Sequence, residues 1–180
     1  MLIIYRFLTP INNYLLYLHN SKMKNNTLIE IYTDGSCHTQ LLLGSWAALI
    51  FVDGKKNILK GTESNTTHNR MELLAVINAI NWADENGYGS CLLNIYSDSQ
   101  YVVNLNSRAQ KLAAKNFTTN RGTPIQNADL VKQLLKQIST HTIEFVKVKA
   151  HQKPDGTENF NREVDLIVRK LVRENVTQHG

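Results

Sequence analysis

From residue 28 the chain reads Leu-Ile-Glu-Ile-Tyr-Thr-Asp-Gly-Ser-Cys, an apolar, β-branched run that leads into one carboxylate, Asp34, and then a Gly-Ser pair. The pattern predicts a strand that carries an acid to the end of a sheet and turns directly after it. Residues 45–52 form a second apolar β-rich run, Asp53-Gly54 is a hairpin signal, and residues 57–61 continue as a third strand. Their short connections imply an antiparallel meander. Residues 66–69 offer several N-cap candidates for a helix over 71–85, where Leu73, Val76, Ile77 and Ile80 recur at helical spacing and Gly87 marks the end. Residues 92–96 then read as a buried strand, and Ser97-Asp98-Ser99 opens a short helix through Val103. A strand that follows a long helix returns by a crossover, parallel to an earlier strand.

Residues 107–123 are polar and basic with weak periodicity, 128–138 are helical, 141–148 alternate as a strand, and 163–173 form a last helix. The predicted fold class is α/β: a mixed five-stranded sheet, three antiparallel strands and then two parallel ones, with helices on both faces. At 180 residues and 42% hydrophobic content the chain has enough apolar material for one well-buried core.

Charge refines this picture through its location. The formal net charge is +5, and residues 1–27 carry Arg6, Lys22 and Lys24 with no acid. No acid falls between Asp98 and Asp129, whereas Arg108, Lys111, Lys115 and Arg121 all do. A local basic stretch of this kind is the footprint expected for a polyanionic partner. Cys37 and Cys91 make no disulfide framework and no zinc-ligand spacing, which favours a reducing, cytoplasmic location. The apolar start is interrupted by Arg6, Pro10, Asn12 and Asn13 and is too short to span a bilayer, so no membrane partner is called for. It reads as a poorly ordered extension or as sequence ahead of an alternative start at Met23, with a membrane-surface helix or a docked extra element as the alternative.

Four acids fall at element junctions: Asp34, Glu72, Asp98 and Asp165. Ligand sites in open α/β sheets gather at the carboxyl ends of strands, where Asp34 and Asp98 belong if their strands are parallel neighbours. Clustered carboxylates repel one another unless a cation is present. An all-oxygen set selects Mg²⁺, with Mn²⁺ as the alternative, rather than zinc. Two such ions about 3.5–4 Å apart suit phosphodiester hydrolysis. Taken singly, each acid also has a structural explanation: a capping box at Asn69-x-x-Glu72, a helix cap at Asp98, an Asx turn at Asp34 and a solvated helix position at Asp165.

Five words in order, Asp34-Gly-Ser-Cys37, Thr66-Thr-His-Asn-Arg-Met-Glu-Leu73, Tyr96-Ser-Asp-Ser-Gln-Tyr-Val102, Lys149-Ala-His151 and Asn161-Arg-Glu-Val-Asp165, resemble type 1 ribonuclease H. The resemblance covers about residues 28–174 and implies a ribonuclease H domain over 28–180 behind an extension of residues 1–27. It implies endonucleolytic cleavage of the RNA strand of an RNA/DNA hybrid, leaving 5′-phosphate and 3′-hydroxyl ends, by a monomer with no obligate protein partner. It further implies that Asp34 bridges two ions, that Glu72 and Asp98 help hold the ion at the leaving oxygen, and that Asp165 holds the ion that activates water. His151, after the fifth strand, would assist proton transfer or product departure. By motif match Cys37, Asn69 and Gln100 would line the minor groove, with Thr67 and Asn127 nearer the DNA strand. Arg108, Lys111, Lys115, Phe117 and Arg121 fall where some members carry a basic protrusion that grips the hybrid. The run His38-Thr-Gln-Leu-Leu-Leu43 departs from the family's Gly/Pro-rich loop, so contacts made there do not transfer. Trp46 and Trp82 are expected in the core. The competing readings are another nuclease on the same fold, such as a junction resolvase, an integrase or a reverse-transcriptase-derived domain, and a catalytically silent hybrid-binding module.

Overall fold

A computed structural model describes residues 27–149 and 159–179; the stretch 1–26 and the loop that holds His151 lie outside the described residues. In chain order the elements are β1 (Leu28–His38), β2 (Leu43–Val52), β3 (Lys55–Ser64), α1 (His68–Glu85), β4 (Leu92–Ser97), α2 (Gln100–Val103), α3 (Leu105–Ala114), α4 (Ala128–Thr140), β5 (Thr142–Lys147) and α5 (Phe160–His179). The five strands form one sheet in the order β3-β2-β1-β4-β5. β1–β2 and β2–β3 are antiparallel, and β1–β4 and β4–β5 are parallel. This is the mixed sheet expected from the sequence.

The period-2 alternation of the strands sorts the two faces. Ile29 and Ile31 of β1, Ala48 and Ile50 of β2, and Leu93 and Ile95 of β4 join Leu73, Val76, Ile77 and Ile80 of α1 and Leu130, Val131 and Leu134 of α4 in the large core. The opposite face holds a smaller one: Ala47 and Leu49 of β2 against Val164 and Val168 of α5, with Tyr32, Phe51 and Phe160 around them. Tyr32 stacks on Tyr96 at 4.5 Å between ring centres, and Phe51 meets Phe160 at 4.3 Å. The molecule is thus a sheet covered by α1 and α4 on one side and by α5 on the other.

Several local expectations are corrected. Gly35-Ser36 is no turn, because β1 runs on to His38. β4 stops pairing with β1 at Thr33↔Ser97, while β2 pairs with β1 up to His38↔Leu43. Asp34 therefore lies one residue past the parallel pairing, in mid-strand. α1 starts at His68, three residues earlier than expected, behind Thr67 as N-cap with no side-chain cap bond. Asn69 thus lies inside the helix and makes no capping box. Asp98 does not cap α2: Ser99 does, accepting from Val102 N. Within 107–123, residues up to Ala114 belong to helix α3, whose one fully buried side chain, Leu105, leaves too narrow an apolar stripe to reveal the period. Trp46 and Trp82 are only partly buried and line a shallow groove between β3 and α1.

Gly35 permits a close backbone-to-backbone approach between β1 and α1. A Cβ there would stand 2.4 Å from Glu72 N and 2.4 Å from Met71 C, both backbone atoms that cannot swing aside. We expect Gly35→Ala to destabilise the protein by about 1–3 kcal/mol and to push α1 off β1. Urea denaturation read beside an activity assay checks this, and a variant with unchanged midpoint would show that the approach is looser than described.

Candidate active site

Three elements bring three acids together. β1 supplies Asp34, the first turns of α1 supply Glu72, and the residue after β4 is Asp98. One carboxylate oxygen from each lies within 4.8 Å of the other two. They open onto a cleft of about 690 Å³ whose wall also includes Asp165 of α5, together with Asn69, Gln100, His68, Lys147 and Arg169. All four acids singled out in the sequence therefore face one cleft, three converging and the fourth on the wall.

Burial makes the cluster electrostatically costly. Asp34 is 8% exposed and Glu72 2%. Burial first, and then the neighbouring charges of Glu72, Asp98 and Asp165, push Asp34 up to about 8, against a smaller downward pull from the Gly35 N–H. Burial likewise raises Glu72, opposed by its hydrogen bond to His68. His68 Nε2 stands 3.2 Å from Glu72 Oε1, one helical turn away, and that bond draws the imidazole above its usual range. The other carboxylate oxygen of Glu72, Oε2, is buried and has no hydrogen-bond partner among the described residues. An orphaned buried oxygen beside two more carboxylates is a donor set with room for a hard divalent cation. The residues present fit such an ion.

Cationic side chains frame the acids. Lys147, at the end of β5 and opposite Ser97 in the parallel ladder, donates to the Asp98 carbonyl. Arg169 Nε donates to Asp165 Oδ1 at 2.7 Å from the next turn of α5. His68, Lys147 and Arg169 were not singled out from the sequence. Two of them carry a legible signal, since each stands four residues from an acid on the same helix. Lys147 becomes visible only once the β4–β5 register is known.

The expected nucleic-acid contacts divide into groups. Asn69 and Gln100 line the cleft itself. Cys37 and Thr67 sit beside it, where the β1–β2 hairpin meets the start of α1, and the Cys37 thiol donates to Thr66 O at 3.4 Å. Arg108 stacks over Tyr101, a cleft residue, with its guanidinium carbon 5.8 Å from the ring centre. Lys111 lies further along α3. Lys115 donates to Asn120 at 2.7 Å in the turn that holds exposed Arg121, and Phe117 lies beneath Lys132. Asn127 is the left-handed N-cap of α4. The structure thus sets the basic segment apart from the acids, joined to them through Tyr101.

The sequence profile of the RNase H family matches residues 26–173. The ribonuclease H of Caldanaerobacter subterraneus subsp. tengcongensis is 36% identical over 153 residues, covering 84% of this chain and 97% of that protein. The ribonuclease H of Caldicellulosiruptor saccharolyticus is 36% identical over 148 residues, covering 81% and 97%. Among solved structures, LC9-RNase H1, described as a type 1 RNase H with the type 2 active-site motif, shares the fold with a TM-score of 0.70 at 20% identity, over 83% of this chain and 74% of that one. Fold, acids and relatives together define a nuclease, a hydrolase of phosphodiester bonds. The chain belongs to the ribonuclease H family.

The raised Asp34 has a thermodynamic consequence. Its carboxyl takes up a proton on folding between 3.8, its ordinary value, and about 8. The folded state binds the extra proton in that window, so the stability of cation-depleted protein falls as pH rises through it. We expect the melting temperature in EDTA to decline across this range, and Asp34→Asn to flatten the decline and melt higher than the parent at the alkaline end. Melting curves of both proteins against pH check this, and parallel slopes would place the decline on other groups.

Proposed function

We propose that this protein cuts the RNA strand of RNA/DNA hybrids, leaving 5′-phosphate and 3′-hydroxyl ends, with Asp34, Glu72, Asp98 and Asp165 holding Mg²⁺, or Mn²⁺ in its place, as two ions when substrate is bound. The observation that carries this reading is the convergence of three carboxylates, two of them buried and one with an unpartnered oxygen, in a cleft that Asp165 also lines. Bound divalent cations would neutralise the scissile phosphate and acidify the attacking water.

The chain's own residues do the rest. His68 holds one oxygen of Glu72, and the other is left without a hydrogen-bond partner among the described residues. Lys147, braced on the Asp98 carbonyl, adds positive charge beside the acids, where a backbone phosphate needs it. Asn69 and Gln100 offer amides that donate to and accept from a ribose 2′-hydroxyl, the group that separates RNA from DNA. Cys37 and Thr67 extend this edge, and Asn127 with the segment from Arg108 to Arg121, including Lys111, Lys115 and Phe117, meets the hybrid's backbone at the other end. His151 keeps the proton-transfer or product-departure role implied by its sequence context. The working unit is a ribonuclease H domain from residue 28 onward, a cytoplasmic monomer; among the described residues no helix is long and apolar enough to cross a membrane.

Incubation with Mg²⁺ and labelled RNA/DNA hybrid, duplex DNA, duplex RNA and a four-way junction tests the reading. Cleavage confined to the RNA strand of the hybrid is expected. Junction cutting would point to a resolvase and binding without cutting to a silent module. Asp34→Asn should lower turnover by more than the roughly 100-fold typical of losing an outer-shell partner, while its circular dichroism matches the parent.

A further inference from the structure

We infer that the ion pair between Lys56 and Glu163 is a positioning device for Asp165, fixing the roll of α5 on the sheet so that the fourth acid faces the other three. The inference rests on the reading of Asp165 as a cation ligand.

The four acids do not share one foundation. Asp34, Glu72 and Asp98 stand on or beside β1, α1 and β4, which enclose the large core. Asp165 stands on α5, whose fully buried contacts with the sheet are Val164 and Val168 against Ala47 and Leu49. Phe160 and Ile167 of the same helix pack around these valines, a narrower patch than the one under α1 and α4, and a charged tether at its edge adds to what sets the rotation of α5. At about 100° per residue, Glu163 and Asp165 project about 200° apart with buried Val164 between them. Glu163 therefore points to one side of the contact line and Asp165 to the other. A roll of about 20° would carry a carboxylate about 5–6 Å from the axis by roughly 2 Å, and a misplacement of about 1 Å is enough to cost a reaction two orders of magnitude.

Lys56 opposes that roll from the side away from the cleft. It lies at the start of β3, paired with Phe51 of β2 across the hairpin. Its Nζ reaches both carboxylate oxygens of Glu163, at 2.5 and 2.6 Å. The same ammonium lies 5.8 Å from the ring centre of Phe51 and 5.7 Å from that of Phe160. Both partners are about one-third exposed, at 35% and 37%, and the two aromatic faces partly shield a pair that water would otherwise weaken. Asp165's ion pair with Arg169 lies within α5 and turns with it. Asn161 Nδ2 does bind outside the helix, to Lys149 O, but at 3.4 Å and to the strand-end backbone on the cleft side.

The test uses the full chain with Lys56→Met, Glu163→Gln, the swap Lys56→Glu with Glu163→Lys, and Asp165→Asn as the control on the underlying reading. Lys56→Met keeps an unbranched apolar stem over the rings and removes the ammonium with its bonds to Glu163. We expect it to lower kcat on hybrid about 10-fold and to raise the Mg²⁺ concentration for half-maximal rate severalfold, with KM for hybrid within twofold of the parent. In metal-free protein, amide exchange should quicken in the first turns of α5 and not in α1. Glu163→Gln should do the same, and the swap should restore most of kcat and the Mg²⁺ response. A Lys56→Met protein that melts lower yet keeps the parent's kcat, Mg²⁺ response and α5 exchange would overturn the inference, as would a swap that restores melting alone. If Asp165→Asn is fully active, the reading of Asp165 as a ligand fails; if it is inactive while both single variants stay fully active, the positioning role alone fails.

Discussion

Carboxylates that repel one another must be held together by something that does not depend on them, and in this fold that is the packing of α1 against β1. Asp34 and Glu72 meet because the backbone of Gly35 lies against the backbone joining Met71 to Glu72, closer than any side chain would permit. Behind that contact stand Ile29, Ile31, Leu73, Val76, Ile77 and Ile80, all buried in the large core. At roughly 1.5–3 kcal/mol for each buried aliphatic side chain, this group alone outweighs the cost of burying Asp34 beside other carboxylates, which drives it towards neutrality. The same apolar mass that stabilises the domain keeps the acids at a spacing they would not choose. Arg70 adds a clamp to the start of α1, bonding Glu63 of β3 and Asp129 of α4, each at 2.9 Å.

Strand alternation explains why the fourth acid comes from the opposite face. Asp34 falls on the same side of β1 as Tyr32, the side that α5 covers, whereas Gly35 falls on the side of α1. The cluster therefore sits at the end of the sheet where both faces are within reach. Glu72 comes around from one side and Asp165 approaches from the other. A site so placed joins two layers of unequal strength: a broad aliphatic core under α1 and α4, and a narrow patch of small residues and aromatic rings under α5.

How much of this was legible follows from which interactions are local. The strand alternation from Leu28, the apolar face of α1 and the four acids at junctions are properties of short windows, and they gave the sheet, its topology and the acid set. The reading of Gly35-Ser36 as a turn failed because a glycine required by a neighbouring backbone looks the same as one required by a turn; only the position of α1 tells them apart. α3 was obscured for the opposite reason, since a helix burying only Leu105 completely has almost no apolar period to read. His68 and Arg169 could have been found, each at helical spacing from an acid. Lys147 could not, because its place beside Asp98 depends on the pairing of two strands some fifty residues apart.

Charge sets one further condition on the proposed reaction. The backbone phosphate must approach four carboxylates, and with screening over about 8–10 Å the basic segment beyond Tyr101 can draw the hybrid to the surface but cannot cancel repulsion at contact. His68 and Arg169 are close enough to act, yet each is already paired with an acid, Glu72 and Asp165 respectively, and Lys147 on the Asp98 carbonyl supplies one charge against four. Most of the charge needed to seat the phosphate has to arrive with divalent ions. Phosphate and ions then strengthen each other's binding by the same factor, since coupling between two ligands is reciprocal. A site built in this way would hold cations weakly when empty and tightly when loaded.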